Sequence, residues 1–361
     1  MKTTVTRPVV TRPIVTRPIV KLGARVLRSN FGRGPRPFKL TLIVTFQCDT
    51  RCKMCNIWKR GKDGVMTLAE VERFFDRNPH FSWINLSGGE IWTRPDMGDL
   101  VAAIIERSPD LFLLDFPTTG QATEQIVAGV TRILATRLPK LLVTVSLDGP
   151  PAVHDDIRGR EGAWANAVAT FARLRELRSG RFDVFLGMTL SNFNEGALFA
   201  TIDSVRAEIP DVSLHEFHVN VAQISAHYYE NEELTPTREN CLSEVAEFLR
   251  QKGHRYHPVA WLERRYQKLS PGFLASGKTP LPCKALASSV FIDPRWNVFP
   301  CSMYDAPLGN LRERDFDLDA LWGEERTRQM QREIAAGKCP NCWTPCEAYQ
   351  TIMGNVLRPA R

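Results

Sequence analysis

Short apolar runs alternate with amphipathic segments through the middle of the chain. After Phe38, six runs have the length and the apolar content of buried strands. They are LTLIVTF (40–46), WINLSG (83–88), LFLLDF (111–116), LLVTVSL (141–147), VFLGMTL (184–190) and VSLHEFHVNV (212–221). Strands that are each followed by a helix imply a parallel sheet with right-handed crossovers, either open or closed into a barrel.

Helix signals occupy the intervals between these runs. Thr67 and Glu70 have the spacing of a capping box at the start of LAEVERFF, and apolar residues recur at helical spacing over 164–174. From about residue 226 the alternation stops, and the segment up to 256 indicates a loop and one helix. The rest of the chain is rich in Pro and Cys, which predicts a second domain stabilised by a bound metal.

Composition changes this picture in two ways. The 361 residues are 43% hydrophobic, enough for one large core and a smaller one. Nine cysteines occur without a signal-peptide pattern, so we expect a reducing cytoplasmic setting, in which clustered cysteines indicate metal binding or catalysis more often than disulfides. No apolar stretch is long enough for a transmembrane helix.

The basic charge is concentrated in the first 48 residues. They hold ten of the 47 Lys and Arg and none of the 40 Asp and Glu, so the rest has 37 basic against 40 acidic side chains, a net charge of −3. Three TRP(V/I)V units cover residues 6–20, and Pro8, Pro13 and Pro18 disfavour a helix and favour extended chain. This leader is either a simple tail or a segment attracted to an anionic surface such as a membrane.

The strongest chemical signal follows the first predicted strand. Cys48, Cys52 and Cys55 fall within eight residues, and no Cys or His occurs between 56 and 79 to complete a four-ligand zinc site. Three thiolates fit a [4Fe–4S] cluster with one iron left open. A substrate would supply the fourth ligand.

This CxxxCxxC motif resembles the signature of the radical S-adenosylmethionine (SAM) enzymes. The resemblance implies that the amino and carboxylate groups of SAM chelate the open iron. It also implies that an electron from the cluster cleaves SAM to a 5′-deoxyadenosyl radical. Met54, before the third cysteine, would then face adenine through its backbone.

Two further segments resemble the same family. In LSGGE (86–90), Gly88 and Gly89 would let the backbone approach the methionine part of SAM, and Glu90 would accept a hydrogen bond from its ammonium. In the fourth-strand region, Ser146 would contact SAM and Arg158 would bind its carboxylate.

The last part of the chain resembles the SPASM or twitch domains of this family, which hold auxiliary iron–sulfur clusters. Five cysteines suit one such cluster, which the same resemblance implies to be [4Fe–4S]: Cys283, Cys301, Cys339, Cys342 and Cys346. The first four are the favoured ligands and Cys346 is a spare, with zinc as the rival metal. Trp296 stands where the family usually has Gly, and Cys241 is predicted to be a buried apolar residue.

No catalytic side chain stands out. Tyr304 and Asp305, just after Cys301, and His218, in the last predicted strand, are weak candidates. His215 and His218 are predicted to face opposite sides of that strand.

We therefore expect a partial (β/α)6 TIM-like barrel with a small C-terminal Cys-rich domain. The domains are predicted to be a leader (1–38), a radical SAM core (39–225), a helical linker (226–256) and an auxiliary-cluster domain (257–361). The function implied is hydrogen abstraction from a small molecule. The alternatives are a peptide side chain, a lipid-linked substrate, or a non-catalytic iron–sulfur or zinc scaffold. We expect an external electron donor of flavodoxin or ferredoxin type and no specific nucleic acid binding. The alternative for the leader is peripheral contact with a membrane.

Overall fold

The structure is a computed structural model that describes residues 16–358 apart from 33, 35, 62 and 235–238. Over these residues the strands form one nine-stranded sheet. The strands are β1 (Lys39–Thr45), β2 (Trp83–Gly88), β3 (Leu113–Thr118), β4 (Lys140–Ser146), β5 (Phe182–Leu190), β6 (Phe217–Val221), β7 (Ser289–Ile292), β8 (Asn297–Phe299) and β9 (Gly309–Asn310). Their order across the sheet is β6-β5-β4-β3-β2-β1-β7-β8-β9.

The first six strands are parallel, as the sequence predicts, and helices connect them. The helices are α1 (Thr16–Phe31), α2 (Leu68–Arg77), α3 (Met97–Arg107), α4 (Thr123–Leu134), α5 (Pro151–Arg158), α6 (Ala163–Arg175), α7 (Leu198–Glu208), α8 (Glu239–Lys252), α9 (Pro258–Ser276), α10 (Leu318–Trp322), α11 (Glu325–Ala335) and α12 (Pro345–Met353). The predicted capping box of Thr67 and Glu70 is present at the start of α2. The architecture is a partial TIM-like barrel.

Alternation along the strands separates an apolar outer face from a polar inner face. On β1, Leu40, Leu42 and Val44 belong to the main apolar core, which also contains residues of α2 and α3. Lys39 and Thr41 lie on the other face and are equally buried. Because successive strand residues point to opposite faces, the helices cover one side and the barrel interior receives the polar residues.

The C-terminal domain continues the barrel sheet. Strand β7 pairs in parallel with β1, and β8 and β9 follow antiparallel. Helix α12 lies against the inner side of this junction: Lys39 Nζ donates to Gln350 Oε1 at 3.0 Å, and Ser289 Oγ donates to Glu347 Oε2 at 3.0 Å. The C-terminal cysteines are thereby held next to the barrel.

The turn between β7 and β8 contains the unusual Trp296. Its φ of 69° lies in the left-handed region, which costs a non-glycine residue about 1–2 kcal/mol. The indole is fully buried, with its ring centroid 5.2 Å from that of Phe74 and 5.0 Å from that of Phe316. Burial of a large aromatic side chain offsets the backbone strain that Gly would avoid.

The leader differs from the prediction at Pro18. Extended chain was expected there, but Pro18 is the third residue of α1, where its missing N–H would have no intrahelical acceptor anyway. Lys21 and Arg25 of this helix form salt bridges with Asp110, the second at 2.9 Å. Pro8 and Pro13 lie outside the described residues.

The sixth predicted strand is too long. Its first half contains a 3-10 turn, Leu214–Glu216, that begins with a capping box between Ser213 and Glu216. His215 therefore precedes the strand, and it lines the same cavity of about 60 Å³ as His218. The expectation that these histidines face opposite sides is wrong. None of the helices in the described residues is both long and apolar enough to cross a membrane.

Candidate active site

Three cysteines lie together in the loop after β1. The Thr50 hydroxyl is 3.3 Å from Cys48 Sγ and 3.4 Å from Cys52 Sγ, and the backbone N–H of Cys55 donates to the Cys52 carbonyl at 3.3 Å. All three cysteines are half-buried and unpaired. The loop thus concentrates three thiols at the carboxyl end of a barrel strand, where sites of such folds lie.

Burial raises the pKa of Cys48 to about 11 and that of Cys55 to about 12. These two thiols therefore stay protonated unless a metal binds them. A bound metal ion reverses this preference, because coordination deprotonates a thiol. Among the described residues, no three or more His, Cys, Asp or Glu side chains converge to hold a single ion. A four-iron cluster instead takes one thiolate at each corner, and this donor set fits three of its corners.

Two distant segments hold the cysteine loop from opposite ends of the core. The N–H groups of Arg51 and Lys53 donate to carbonyls at the end of α5, at 2.8 and 2.9 Å. After β6, the Tyr229 carbonyl accepts from Asn56 N at 2.7 Å, and Asn231 Nδ2 donates to the Met54 carbonyl at 3.0 Å. This second segment lies in the predicted linker, and its contact with the cysteine loop was not predicted.

The two glycines after β2 allow the strand end to touch the cysteine loop. Gly88 has a φ of 149°, and a Cβ there would lie 2.3 Å from the Thr45 carbonyl oxygen. A Cβ on Gly89 would lie 2.0 Å from the Gln47 carbonyl oxygen and 2.9 Å from Cys48 Cβ. Any side chain at either position would push the loop away.

Glu90 is buried behind the wall of the site. Its carboxylate accepts from Thr119 N at 2.5 Å, from Trp92 N at 3.2 Å and from the Thr118 hydroxyl at 3.0 Å. Burial raises the pKa of Glu90 to about 7 despite these hydrogen bonds. The carboxylate does not line the cavity beside the cysteines; it positions Thr118 and Thr119, which do.

Arg158 brings a positive charge to the cysteine loop. Its Nη1 donates to Cys52 Sγ at 3.6 Å, and its Nη2 forms a 2.5 Å ion pair with Asp148, whose side chain is 0% exposed. Burial lowers the pKa of Arg158, but Asp148 and the Cys52 thiolate outweigh this and raise it above its usual value. The guanidinium therefore stays charged at the edge of the cavity.

One cavity of about 210 Å³ brings most of these groups together. It is lined by the three cysteines and by five further residues proposed from the sequence: Met54, Gly88, Gly89, Ser146 and Arg158. It also contains polar residues that the sequence analysis did not assign to SAM: Ser87, Thr118, Thr119, Thr189, Asn220, Gln223, Tyr228 and Tyr229. Ser87, Thr189 and Asn220 could have been predicted to line the cavity, because strand alternation places them on the inner face.

Tyr228 and Tyr229 form an aromatic wall of this cavity. Tyr228 is buried, its hydroxyl is 2.9 Å from Ser87 Oγ, and its ring centroid is 4.6 Å from that of Tyr229. Burial raises the pKa of both phenols, and the charges of Cys55 and Cys346 raise them further. The cavity that the pair lines also reaches Thr344 and Pro345, which directly precede Cys346.

Four of the C-terminal cysteines border the main apolar core: Cys301 and Cys342 belong to it, and Cys283 and Cys339 pack against it. Burial and the Glu347 carboxylate raise the pKa of Cys301, and the Cys342 and Cys283 thiolates add to the effect. Burial also raises the pKa of Cys342, and Cys283 and Cys339 add to that rise. Cys346 differs: burial raises its pKa to about 11, and its charged neighbours are Lys39, Glu347 and Asp115.

The weak catalytic candidates are not brought to the cavity. Asp305 is exposed and Tyr304 packs beside the main core. His218 stacks on Phe185, with ring centroids 4.0 Å apart, and burial lowers its pKa to about 4. Cys241 is fully buried in α8, as predicted.

Family comparisons agree with both halves of the site. The family model described as "Radical SAM superfamily" matches residues 42–203, and the one described as "Iron-sulfur cluster-binding domain" (SPASM) matches residues 283–343. No curated protein matches the chain.

Solved structures of low sequence identity share the fold. Streptococcus suis SuiB bound to S-adenosylmethionine has 13% identity and a TM-score of 0.57, over 86% of this chain and 70% of that one. SuiB bound to the precursor peptide SuiA has 12% identity and a TM-score of 0.55, over 91% and 74%. The AdoMet-bound anSMEcpe has 13% identity and a TM-score of 0.55, over 88% and 94%. From the two family models, the chain belongs to the radical SAM superfamily and carries a C-terminal iron–sulfur cluster-binding SPASM domain.

Proposed function

We propose that this radical SAM enzyme abstracts hydrogen from a small organic molecule and uses its auxiliary cluster in a net oxidation. Its cofactors are a [4Fe–4S] cluster, SAM and an auxiliary iron–sulfur cluster. When bound, the first cluster and SAM supply a radical able to break an unactivated C–H bond. The observation that carries the proposal is three half-buried thiols at one edge of a cavity that no fourth cysteine lines.

Different residues around this cavity would bind the cluster and SAM. Cys48, Cys52 and Cys55 would hold the cluster. Arg158 would bind the carboxylate of SAM, because its guanidinium stays charged and is anchored by Asp148. Ser146, at the end of β4, would donate a further hydrogen bond.

The other polar positions would orient SAM from the opposite strands. Gly88 and Gly89 would leave room for its methionine part, and the backbone of Met54 would face adenine. Glu90 would act through Thr118 and Thr119, whose N–H and hydroxyl groups it fixes. The buried ring of Tyr228 and the half-buried ring of Tyr229 would exclude water from the radical.

For the auxiliary cluster we propose the four cysteines that border the main apolar core, which are Cys283, Cys301, Cys339 and Cys342. Cys346 would not be a ligand, since it is not among the cysteines at this core and its carbonyl accepts from Lys39 Nζ. We also propose the domain boundaries 39–225 for the core, 226–256 for the linker and 257–361 for the cluster domain. Residues 226–231 would then belong functionally to the site.

A small molecule is the first candidate substrate, because SAM and the substrate would share one cavity of about 210 Å³. A peptide side chain is the second candidate, because SuiB and anSMEcpe, which share the fold, have been crystallised with peptides. An external electron donor and a reducing compartment fit the nine unpaired cysteines. The leader contributes less to a membrane proposal, since Lys21 and Arg25 are already paired.

The test separates the two cysteine groups by iron content and SAM binding. Under anaerobic conditions, the triple variant Cys48→Ala, Cys52→Ala, Cys55→Ala should lose about four irons per chain and all measurable SAM binding. The control Cys241→Ala removes a buried cysteine outside both groups and should keep both properties. Full SAM binding by the triple variant would contradict the proposed site.

A further inference from the structure

A second cavity opens on the C-terminal cysteines from the outside. Its volume is about 460 Å³, and its lining includes Cys283 and Cys339 but no residue of the cavity beside the first cysteine loop. These two cysteines are half-buried, whereas Cys301 and Cys342 are buried. One edge of the four-cysteine group therefore faces solvent.

The rim of this cavity is positively charged. Lys268 and Lys278 line it and are exposed, and the exposed Lys338 directly precedes Cys339. No Asp or Glu lines the cavity. No salt bridge joins these three lysines to another residue in the described part of the chain, in contrast to the exposed Lys53, which pairs with Asp156 at 2.7 Å. The charge is thus available to a partner.

The floor of the cavity is apolar. Leu269 and Leu281, which are buried, and Ile334 contribute to it, together with the alanines at the end of α11. An apolar centre with a charged rim is the usual anatomy of a protein–protein contact. A small anion would be bound by the lysines but would make no use of this floor.

We propose that this lysine-rimmed surface, formed by Lys268, Lys278 and Lys338 around Cys283 and Cys339, docks an acidic one-electron carrier protein of flavodoxin or ferredoxin type. The inference rests on the proposed role of the four cysteines as auxiliary-cluster ligands. One electron would pass between carrier and cluster, so that the carrier is oxidised by one electron when the cluster is reduced. Charge complementarity would steer the encounter.

A rival surface lies at the first cysteine loop. Lys59 is exposed there, with Nζ 5.3 Å from the ring centroid of Trp58. A carrier that serves only the first cluster would dock on that side. Lys59 is therefore a matched control, since it is also an exposed lysine close to a cysteine group.

The experiment uses a full-length chain in which Cys48, Cys52 and Cys55 are replaced by Ala, so that only the C-terminal group can hold iron. An acidic flavodoxin is titrated against it to obtain Kd, and the reduced flavodoxin is then mixed with it to follow bleaching of the cluster absorbance. Both are measured for Lys268→Glu with Lys278→Glu and for Lys59→Glu, at low and high salt. The milder pair Lys268→Gln with Lys278→Gln repeats the test without reversing the charge.

We expect the double Glu variant to raise Kd and slow bleaching at least about tenfold at low salt, and the difference to shrink at high salt. The Gln pair should lie between this variant and the parent, and Lys59→Glu should match the parent. Equal Kd and equal rates for all variants, or a defect in Lys59→Glu alone, would overturn the docking surface. Loss of iron from the parent triple variant would instead overturn the proposed auxiliary ligands, so the two failures are distinguishable.

Discussion

The buried ion pair beside the first cysteine loop allows a quantitative prediction. Arg158 Nη2 and Asp148 Oδ2 are 2.5 Å apart, with side-chain exposures of 13% and 0%. At an effective dielectric constant of about 20, their attraction is roughly 6–7 kcal/mol, against which both charges have lost hydration. Arg158→Met should leave Asp148 buried and uncompensated, which costs about 3–5 kcal/mol of unfolding free energy.

The assay is urea unfolding of the iron-free protein, followed by circular dichroism. Lys53→Met is the control, because Lys53 and Asp156 form a 2.7 Å pair nearby with exposures of 43% and 63%, and its loss should cost at most about 1 kcal/mol. The double variant Arg158→Met, Asp148→Asn should recover about 1–3 kcal/mol, since it removes the orphaned charge. If Arg158→Met costs no more than Lys53→Met, the reasoning from burial is refuted.

Three other predictions follow from the same geometry. Gly89→Ala should displace the cysteine loop and lower iron content, whereas Gly180→Ala, where a Cβ meets nothing within 4 Å, should not; equal iron content would contradict this. Because burial raises the pKa of Glu90 to about 7, the folded chain retains a proton that the unfolded chain loses above about pH 4.5. The free energy of unfolding should therefore fall by roughly 3 kcal/mol as pH rises from 4.5 past 7, and Glu90→Gln should remove that loss. If urea unfolding gives wild type and Glu90→Gln the same dependence on pH, this reasoning is contradicted. Cys342→Ala should lose auxiliary iron while Cys346→Ala keeps it, and iron loss from both would make Cys346 a ligand.

Local patterns predicted the barrel well because each strand and helix is specified by its own residues. The second strand has the predicted bounds, and the capping box at Thr67 forms as expected. The error in the sixth strand came from a competing local signal, since Ser213 and Glu216 also form a capping box and turn the chain before Phe217. The helix at Pro18 was missed because proline disfavours only helix interiors.

The candidate site was less predictable where distant segments meet. Spacing alone singled out the three cysteines of the first loop. The aromatic wall of Tyr228 and Tyr229 depends on the chain returning after β6 to hold that loop, which no local pattern reports. Glu90 illustrates the same limit: its motif was recognised, but only the fold shows that its carboxylate is buried behind Thr118 and Thr119.

The most direct test of the central claim is the amount of 5′-deoxyadenosine formed from SAM by the reconstituted protein with a strong reductant under anaerobic conditions. The account predicts that wild type forms it, that Cys52→Ala forms none, and that Cys241→Ala matches wild type. If fully iron-loaded wild type forms no 5′-deoxyadenosine, or if Cys52→Ala forms as much as wild type, the first cysteine loop is not the site of SAM cleavage.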